Sequence, residues 1–218
     1  EIAQNSFDYR TLGLGFANIG GYLMASGIPY DSTEGRSLCA AITALMSGVS
    51  YSTSALIAKE LGGFPKYKKN STDMMRVIKN HRNAAHGKKV GYDQLSILPV
   101  PLLANECPDR NLLNSARLAW DNAFKLGAQH GFRNAQTTVI APTGTIGLIM
   151  DCDTTGIEPD FALVKFKKLA GGGYFKIINR IVPNALSALG YSEDQISKIE
   201  NYAVGHGNIT NCPTINEK

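Results

Sequence analysis

The sequence predicts an α/β fold that forms part of a larger domain. Stretches with helical periodicity alternate with β-branched runs, which is the pattern of α/β proteins. Only three or four strands can be found along the 218 residues, too few to close a barrel. Hydrophobic residues make up 44% of the chain, so a buried core is expected and a disordered chain is excluded. We expect residues 1–131 to be mainly helical, and residues 132–218 to contain a strand, a loop, a second strand and helices.

Turn and capping residues set the bounds of the predicted helices. Asp31 and Glu34 have the spacing of a capping box and open a long helix, which Gly62 ends. Asp109 caps a later helix that ends at Gly131. The predicted helices cover residues 18–26, 33–61, 71–86, 110–130 and 174–189, with a final one after Ser192.

Two runs are predicted to be strands. Residues 137–140, Thr-Thr-Val-Ile, are β-branched and predict a buried strand. Residues 161–166 are the second strand predicted. The short, glycine-broken stretch 9–15 is expected to be the end of a strand that leads into the helix at 18–26.

Charge and composition exclude several classes of partner. Lys and Arg number 22 against 18 Asp and Glu, and a net charge of +4 is too small to predict nucleic-acid binding. No run of 18 apolar residues is present, so no transmembrane helix is predicted. The four cysteines form no C-x-x-C pair and no zinc pattern, which favours ordinary thiols in a reducing cytoplasm. The chain starts with neither Met nor a signal peptide, so we expect a segment of a longer protein.

Three features give weak functional predictions. Residues 13–20 resemble half of a dinucleotide-binding turn, but Asn18 occupies the place of the third glycine, so a tight strand-to-helix turn is favoured. Glycines 171–173 lie beside several lysines and predict either a phosphate cradle or a flexible connector. The four histidines form no catalytic set and are expected to be structural or on the surface; they are His81, His86, His130 and His206.

The strongest functional pattern runs from residue 141 to residue 159. A predicted strand ends at Pro142, and Thr143, Gly144 and Thr145 follow. Hydroxyl groups and exposed backbone amides are what an anionic phosphate oxygen needs, and glycine allows the backbone to approach closely. No lysine is built into the loop, which distinguishes it from a Walker loop. From the spacing alone, phosphate binding and a plain turn both stay open.

Several motifs are long enough to point to a family. In the second half they are Arg133–Gly147, Met150–Ala162 with its Gly156-Ile157-Glu158-Pro159 turn, Val164–Lys176 and Ala203–Gly207; upstream they are Asp8–Gly15 and Gly27–Ser32. Together they closely resemble the catalytic subunit of the adenosylcobalamin-dependent, class II ribonucleotide reductases. The resemblance runs over nearly the whole chain.

The resemblance implies that residues 1–218 are one segment of a ten-stranded α/β barrel that reduces ribonucleotides to deoxyribonucleotides through a thiyl radical. It implies adenosylcobalamin as cofactor, a thioredoxin-like dithiol reductant, a dNTP effector and a cytoplasmic location, with no nucleic-acid or membrane partner. It also implies that one loop binds the substrate phosphates, and the residues carried over are Ala141, Pro142, Thr143, Gly144, Thr145 and Ile146.

One departure from the family pattern limits what this segment can do. The family's finger-loop motif, Asn-x-Cys-x-Glu, occurs nowhere in the sequence. Asn105-Glu106-Cys107-Pro108-Asp109 comes near it, but has aspartate where glutamate belongs. We therefore expect no catalytic residue and no metal ligand in this segment, and expect the radical cysteine in the rest of the enzyme or in a complementary chain.

Two alternatives remain open at this stage. The chain is either the substrate-phosphate part of a reductase, inactive when alone, or a non-catalytic module that uses the same loop to bind nucleotides. An enzyme of the NAD type, built on residues 13–20, is the least favoured of the three hypotheses.

Overall fold

The computed structural model describes residues 1–168 and 171–215. The chain divides into two compact units, one made of residues 1–15 and 36–140 and the other of residues 16–35 and 141–218. Helices dominate both units. The elements in chain order are α1 (Ile2–Tyr9), α2 (Ile19–Ala25), α3 (Thr33–Leu61), α4 (Tyr67–Ala85), α5 (Arg110–His130), α6 (Gly144–Ile149), β1 (Val164–Lys168), β2 (Tyr174–Ile178), α7 (Val182–Ala188) and α8 (Glu193–His206).

The core of the first unit is formed by long amphipathic helices. Helix α4 packs against α5, and the side chains of Ile78 and Trp120 are almost completely buried between them. Phe132 follows α5 and is also fully buried, with its ring edge-on to Tyr51. Asp109 caps α5 by accepting a hydrogen bond from the amide of Leu112, as its sequence position predicts.

The second unit combines a hairpin with short helices. Strands β1 and β2 pair antiparallel, with Val164 opposite Ile178. Ser192 and Gln195 form a capping box at the start of α8, as predicted. A small apolar cluster joins α7, α8 and the segment after them; its buried members are Val182, Leu186, Ile199 and Cys212.

Most of the predicted helices are confirmed. The predicted helix 33–61 matches α3, 110–130 matches α5, and 18–26 contains α2. Gly27, which follows the C-cap residue Ser26 of α2, has a left-handed φ of 65°, as expected of a helix-ending glycine. Helix α4 begins four residues before the predicted start at residue 71, and α1 was not predicted.

Two of the element predictions in the second half are wrong, and one is displaced. Residues 137–140 form no strand, and Thr138 makes only a single parallel bridge with Leu14. In the part of the chain described, this segment has backbone hydrogen bonds of the strand type only with residues 12–14, which is too short a partner for a strand. The predicted helix 174–189 is instead β2 followed by α7, since its first five residues are mostly aromatic and β-branched and pair with β1. The strand predicted at 161–166 lies at 164–168.

Helix α3 is 29 residues long and rich in apolar residues. By length and composition alone it could cross a membrane, and it is the single helix of this kind among the described residues. Core helices of water-soluble proteins have the same length and composition. Ala41 and Ala55 of α3 are fully buried among side chains of the first unit. We base no membrane assignment on this helix.

Candidate functional site

The loop 141–146 leads directly into the short helix α6. Thr143 precedes the helix and has a left-handed φ of 50°. The amides of the first helical turn, which belong to residues 144–146, have no partner within the helix. Gly144, Thr145 and Ile146 are exposed to solvent. The loop therefore presents three backbone amides and one threonine hydroxyl on an accessible surface.

The two threonines of this loop have different surroundings. The hydroxyl oxygen of Thr143 accepts a hydrogen bond from the amide of Gly156 at 2.7 Å. The hydroxyl of Thr145 has no hydrogen-bond partner among the described residues. Thr145 is thus available to an external ligand, whereas Thr143 already joins the loop to the turn at 156–159.

The glycines around the loop also differ. A Cβ added at Gly144 would meet no atom within 4 Å, so a side chain there would enter open space. Gly156 has a left-handed φ of 49°, and a Cβ added there would lie 2.9 Å from the carbonyl oxygen of Ala141. Gly156 is therefore required for the fold of the turn, while nothing within the protein requires glycine at 144.

Asn18 supports the segment that follows α6. Its side-chain oxygen accepts hydrogen bonds from the amides of Asp153 at 3.0 Å and Thr154 at 2.9 Å. The hydroxyl oxygen of Thr154, which is buried, accepts a hydrogen bond from the amide of Gly21 at 3.1 Å. The turn at 13–20 thus uses Asn18 to bind another part of the chain, in agreement with the tight-turn interpretation.

A buried polar cluster lies after the Gly-Ile-Glu-Pro turn. The side chain of Asp160 is only 3% exposed and forms an ion pair with Lys165 at 2.9 Å. Asn179 donates a hydrogen bond to the same carboxylate, and its own side-chain oxygen accepts one from the amide of Ile181. These contacts join β1 and the end of β2 to the turn.

The carboxylate of Glu158 is not part of this cluster. Its side chain is exposed and has no hydrogen bond or ion pair among the described residues. The backbone of the turn does make a structural contact, because the carbonyl of Ile157 accepts a hydrogen bond from the Tyr30 hydroxyl at 2.8 Å.

With this geometry in place, comparison with known proteins decides the family. A family model described as ribonucleotide reductase, barrel domain, matches residues 1–218. The chain belongs to the ribonucleotide reductase barrel family. The predicted fold class, part of an α/β barrel of this type, is confirmed by the match.

Curated relatives of this reductase family are similar over almost the whole chain. A vitamin B12-dependent ribonucleotide reductase from Bradyrhizobium diazoefficiens is 68% identical over 99% of the chain, and one from Agrobacterium fabrum is 67% identical over 99%. A protein of the same name from Streptomyces avermitilis is 47% identical over 98%. The chain spans only 17% of the length of the first two and 21% of the third.

The four cysteines of this barrel segment are free thiols that differ in burial. Cys107, the near match to the finger-loop motif, is buried and its thiol donates to the carbonyl of Asp109 at 3.4 Å. Cys39 is partly buried, and burial raises the pKa of its thiol. Cys152 and Cys212 are also free thiols. Among the described residues, no group of three or more His, Cys, Asp or Glu side chains could hold a metal ion.

Two of the four histidines stack on aromatic rings. The ring of His81 lies parallel to that of Trp120, with centroids 4.9 Å apart, and the surrounding protein lowers its pKa by desolvation. His206 stacks on Tyr202 with centroids 3.8 Å apart. His86 contacts the carboxylate of Asp121 at 3.0 Å. These contacts favour structural roles for the three residues.

The three glycines at 171–173 lie at the tip of the hairpin. Gly172 and Gly173 have φ values of 90° and 86°, which suits a tight connection between strands. The ammonium of Lys165 is paired with Asp160, and that of Lys176 donates to the carbonyl of Val204 at 2.8 Å. These contacts favour the connector interpretation over the phosphate cradle.

The residues that hold the loop 141–146 in place could not be found from the sequence. Asn18, Thr154 and Asn179 act through hydrogen bonds to segments distant in sequence, and no spacing rule reveals such pairs. Asn18 has a left-handed φ of 69°, which marks it as an unusual backbone position, but this value is visible only in the structure.

Proposed function

We propose that this segment is the substrate-phosphate part of a B12-dependent ribonucleotide reductase. The observation that carries the proposal is the identity of 68% over 99% of the chain with a relative of that name. The reaction is the reduction of ribonucleoside diphosphates or triphosphates to the corresponding deoxyribonucleotides, and the loop 141–146 holds the anionic end of the substrate. The radical cysteine lies outside this segment, so the segment alone does not catalyse the reaction.

The chemistry of the loop supports the phosphate role. The amides at the start of α6 belong to exposed residues, and the Thr145 hydroxyl has no hydrogen-bond partner among the described residues, so the loop offers several neighbouring hydrogen-bond donors to an anion. Gly144 leaves the space beside these donors open. The loop binds and orients the phosphates, which fixes where the ribose lies without a catalytic group of its own.

The partners follow from the proposed reaction. They are a ribonucleotide substrate, a thioredoxin-like dithiol that supplies two electrons, a dNTP effector, and the remainder of the reductase or a complementary chain that carries the finger-loop cysteine. The location proposed is the cytoplasm, where thiols stay reduced.

Adenosylcobalamin is the proposed cofactor, and it would supply the radical that oxidises the missing cysteine. Among the described residues, two pockets have volumes of about 400 Å³ and 610 Å³, the size that accepts drug-like ligands, whereas a corrinoid is far larger. We therefore assign no residue here to the cofactor and derive no step through it.

Substitution of Gly144 by valine tests the phosphate role. Since a Cβ at this position meets no described atom of this segment within 4 Å, Gly144→Val should leave the fold of the segment intact and obstruct only the approach of a ligand. In the assembled enzyme we expect the affinity for ribonucleotide to fall about tenfold, or about 1.4 kcal/mol. Equilibrium binding of ribonucleotide measures it.

The matched control is Gly171→Val. Gly171 is also exposed, and an added Cβ there also meets nothing within 4 Å. This variant should bind ribonucleotide like the unmodified enzyme. Unchanged affinity in Gly144→Val, or an equal loss in both variants, would contradict the assignment of phosphate binding to the loop.

A further inference from the structure

We propose that Asn18 is a positioning residue for the substrate-phosphate loop, an inference that rests on the proposed function. Asn18 stands at the N-cap of α2, where an asparagine side chain normally accepts a hydrogen bond from its own helix. It makes no such bond here. Its side-chain oxygen instead accepts the amides of Asp153 and Thr154, more than 130 residues away.

Thr154 in turn accepts a hydrogen bond from α2. The amide of Gly21, which is the third residue of α2, donates to the Thr154 hydroxyl oxygen at 3.1 Å. Each segment therefore caps the other: Asn18 satisfies backbone amides of residues 153–154, and Thr154 satisfies an amide at the start of α2. Because Thr154 is only 4% exposed, water cannot easily replace either bond.

Close packing holds the same segment from a second side. A Cβ added at Gly20 would lie 2.6 Å from the carbonyl oxygen of Glu158 and 2.8 Å from Cγ2 of Thr154. The backbone of α2 thus lies directly against residues 154–158. The hydrogen bonds of Asn18 and the close backbone contact at Gly20 together fix the position of residues 153–158.

The fixed segment in turn holds the loop. The amide of Gly156 donates to the hydroxyl oxygen of Thr143 at 2.7 Å, and Thr143 directly precedes the exposed Gly144 and Thr145. The contacts run from Asn18 to residues 153–154, then to Gly156 and then to Thr143. A displacement at Asn18 therefore changes where the donors of the loop lie, although Asn18 is not part of the loop.

Two substitutions of Asn18 separate its acceptor from its backbone conformation. Asn18 has φ of 69°, a left-handed value that glycine, asparagine and aspartate tolerate. Asn18→Gly keeps this conformation and removes the acceptor, whereas Asn18→Asp keeps both. In the assembled enzyme, Asn18→Gly should raise KM for the ribonucleotide about tenfold with little change in kcat, as expected when a supporting contact is lost. Asn18→Asp should stay within about twofold of the unmodified enzyme in KM.

Steady-state kinetics, with the concentration of active enzyme determined separately, distinguishes positioning from folding. A purely structural role would reduce the amount of active enzyme and leave KM unchanged. An unchanged KM in Asn18→Gly, or the same rise in Asn18→Asp, would overturn the proposal.

If Asn18→Gly does not fold, a second pair of variants, Gly20→Ala and Gly205→Ala, tests the proposal instead. Gly20→Ala should displace residues 154–158 by the close approach described above and raise KM about tenfold. Its control is Gly205→Ala, where an added Cβ meets nothing within 4 Å. An unchanged KM in Gly20→Ala would overturn the proposal.

Gly144→Val shows which of the two ideas fails. If Gly144→Val weakens nucleotide binding while Asn18→Gly leaves KM unchanged, the phosphate loop stands and the positioning role of Asn18 is wrong. If neither variant changes nucleotide binding, the proposed function of the loop is wrong as well.

Discussion

The first unit is stabilised by apolar packing between long helices, whereas the region around the loop 141–146 in the second unit is held by hydrogen bonds to polar side chains. Trp120, Ile78 and Phe132 are at most 2% exposed and lie in one apolar cluster. Around the loop, the corresponding contacts are made by Asn18 and Thr154. Apolar packing is tolerant of sequence and gives stability, while directed hydrogen bonds fix the backbone positions that ligand binding requires.

The largest effect is expected from removing apolar volume in the first unit. Phe132→Ala should lower the free energy of unfolding by about 3–5 kcal/mol, because the ring is fully buried against Tyr51 and Tyr67. Urea unfolding followed by the fluorescence of Trp120, the single tryptophan, measures it. Leu118→Ala is the control, since Leu118 lies on α5 but is 60% exposed, and a change within about 0.5 kcal/mol is expected there. Similar losses in both variants would contradict the apolar-core account.

A smaller effect is expected from removing one hydroxyl in the second unit. Thr154→Val leaves the shape of the side chain almost unchanged but deprives the Gly21 amide of its acceptor. We expect a local loss of about 1–3 kcal/mol, which is the cost of an unsatisfied buried donor. Hydrogen exchange of the Gly21 amide measures it.

Thr154→Ser provides the control for this second prediction. Serine keeps the hydroxyl that accepts from Gly21, so protection of that amide should be retained. Equal protection in the valine and serine variants would show that packing, rather than the hydrogen bond, holds this region, and the contrast between the two units would then fail.

The same contrast explains how far the sequence predicted the structure. Helices α3 and α5 follow from apolar periodicity and capping residues, which are local properties of the chain. The segment 174–189 was predicted to be helical, yet the partner strand at 164–168 decides the conformation of its first part. The prediction of a strand at 137–140 is wrong because a strand needs a partner strand to pair with, and here only a single bridge forms.

For the candidate site too, local motifs could be found from the sequence, whereas contacts between distant residues could not. The loop 141–146 could be proposed as a phosphate site from the sequence because its threonines and glycine are consecutive and match a family motif. The support from Asn18 could not be predicted, because it depends on a contact across more than 130 residues. The sequence also could not show that Thr143 and Thr145 differ, since only the position of Gly156 distinguishes a bonded hydroxyl from an available one.

The most direct test of the central claim compares a nucleotide with its nucleoside in the assembled enzyme. Thr145→Val removes the available hydroxyl, and Thr145→Ser retains it. If the loop binds phosphates, Thr145→Val should weaken ribonucleotide binding about tenfold to a hundredfold, or about 1.4–2.8 kcal/mol, as expected for a hydrogen bond to a charged group. Binding of the matching ribonucleoside, which has no phosphate, should be unchanged, and Thr145→Ser should bind both like the unmodified enzyme. Equal losses for nucleotide and nucleoside, or no loss for either, would contradict the phosphate role of the loop.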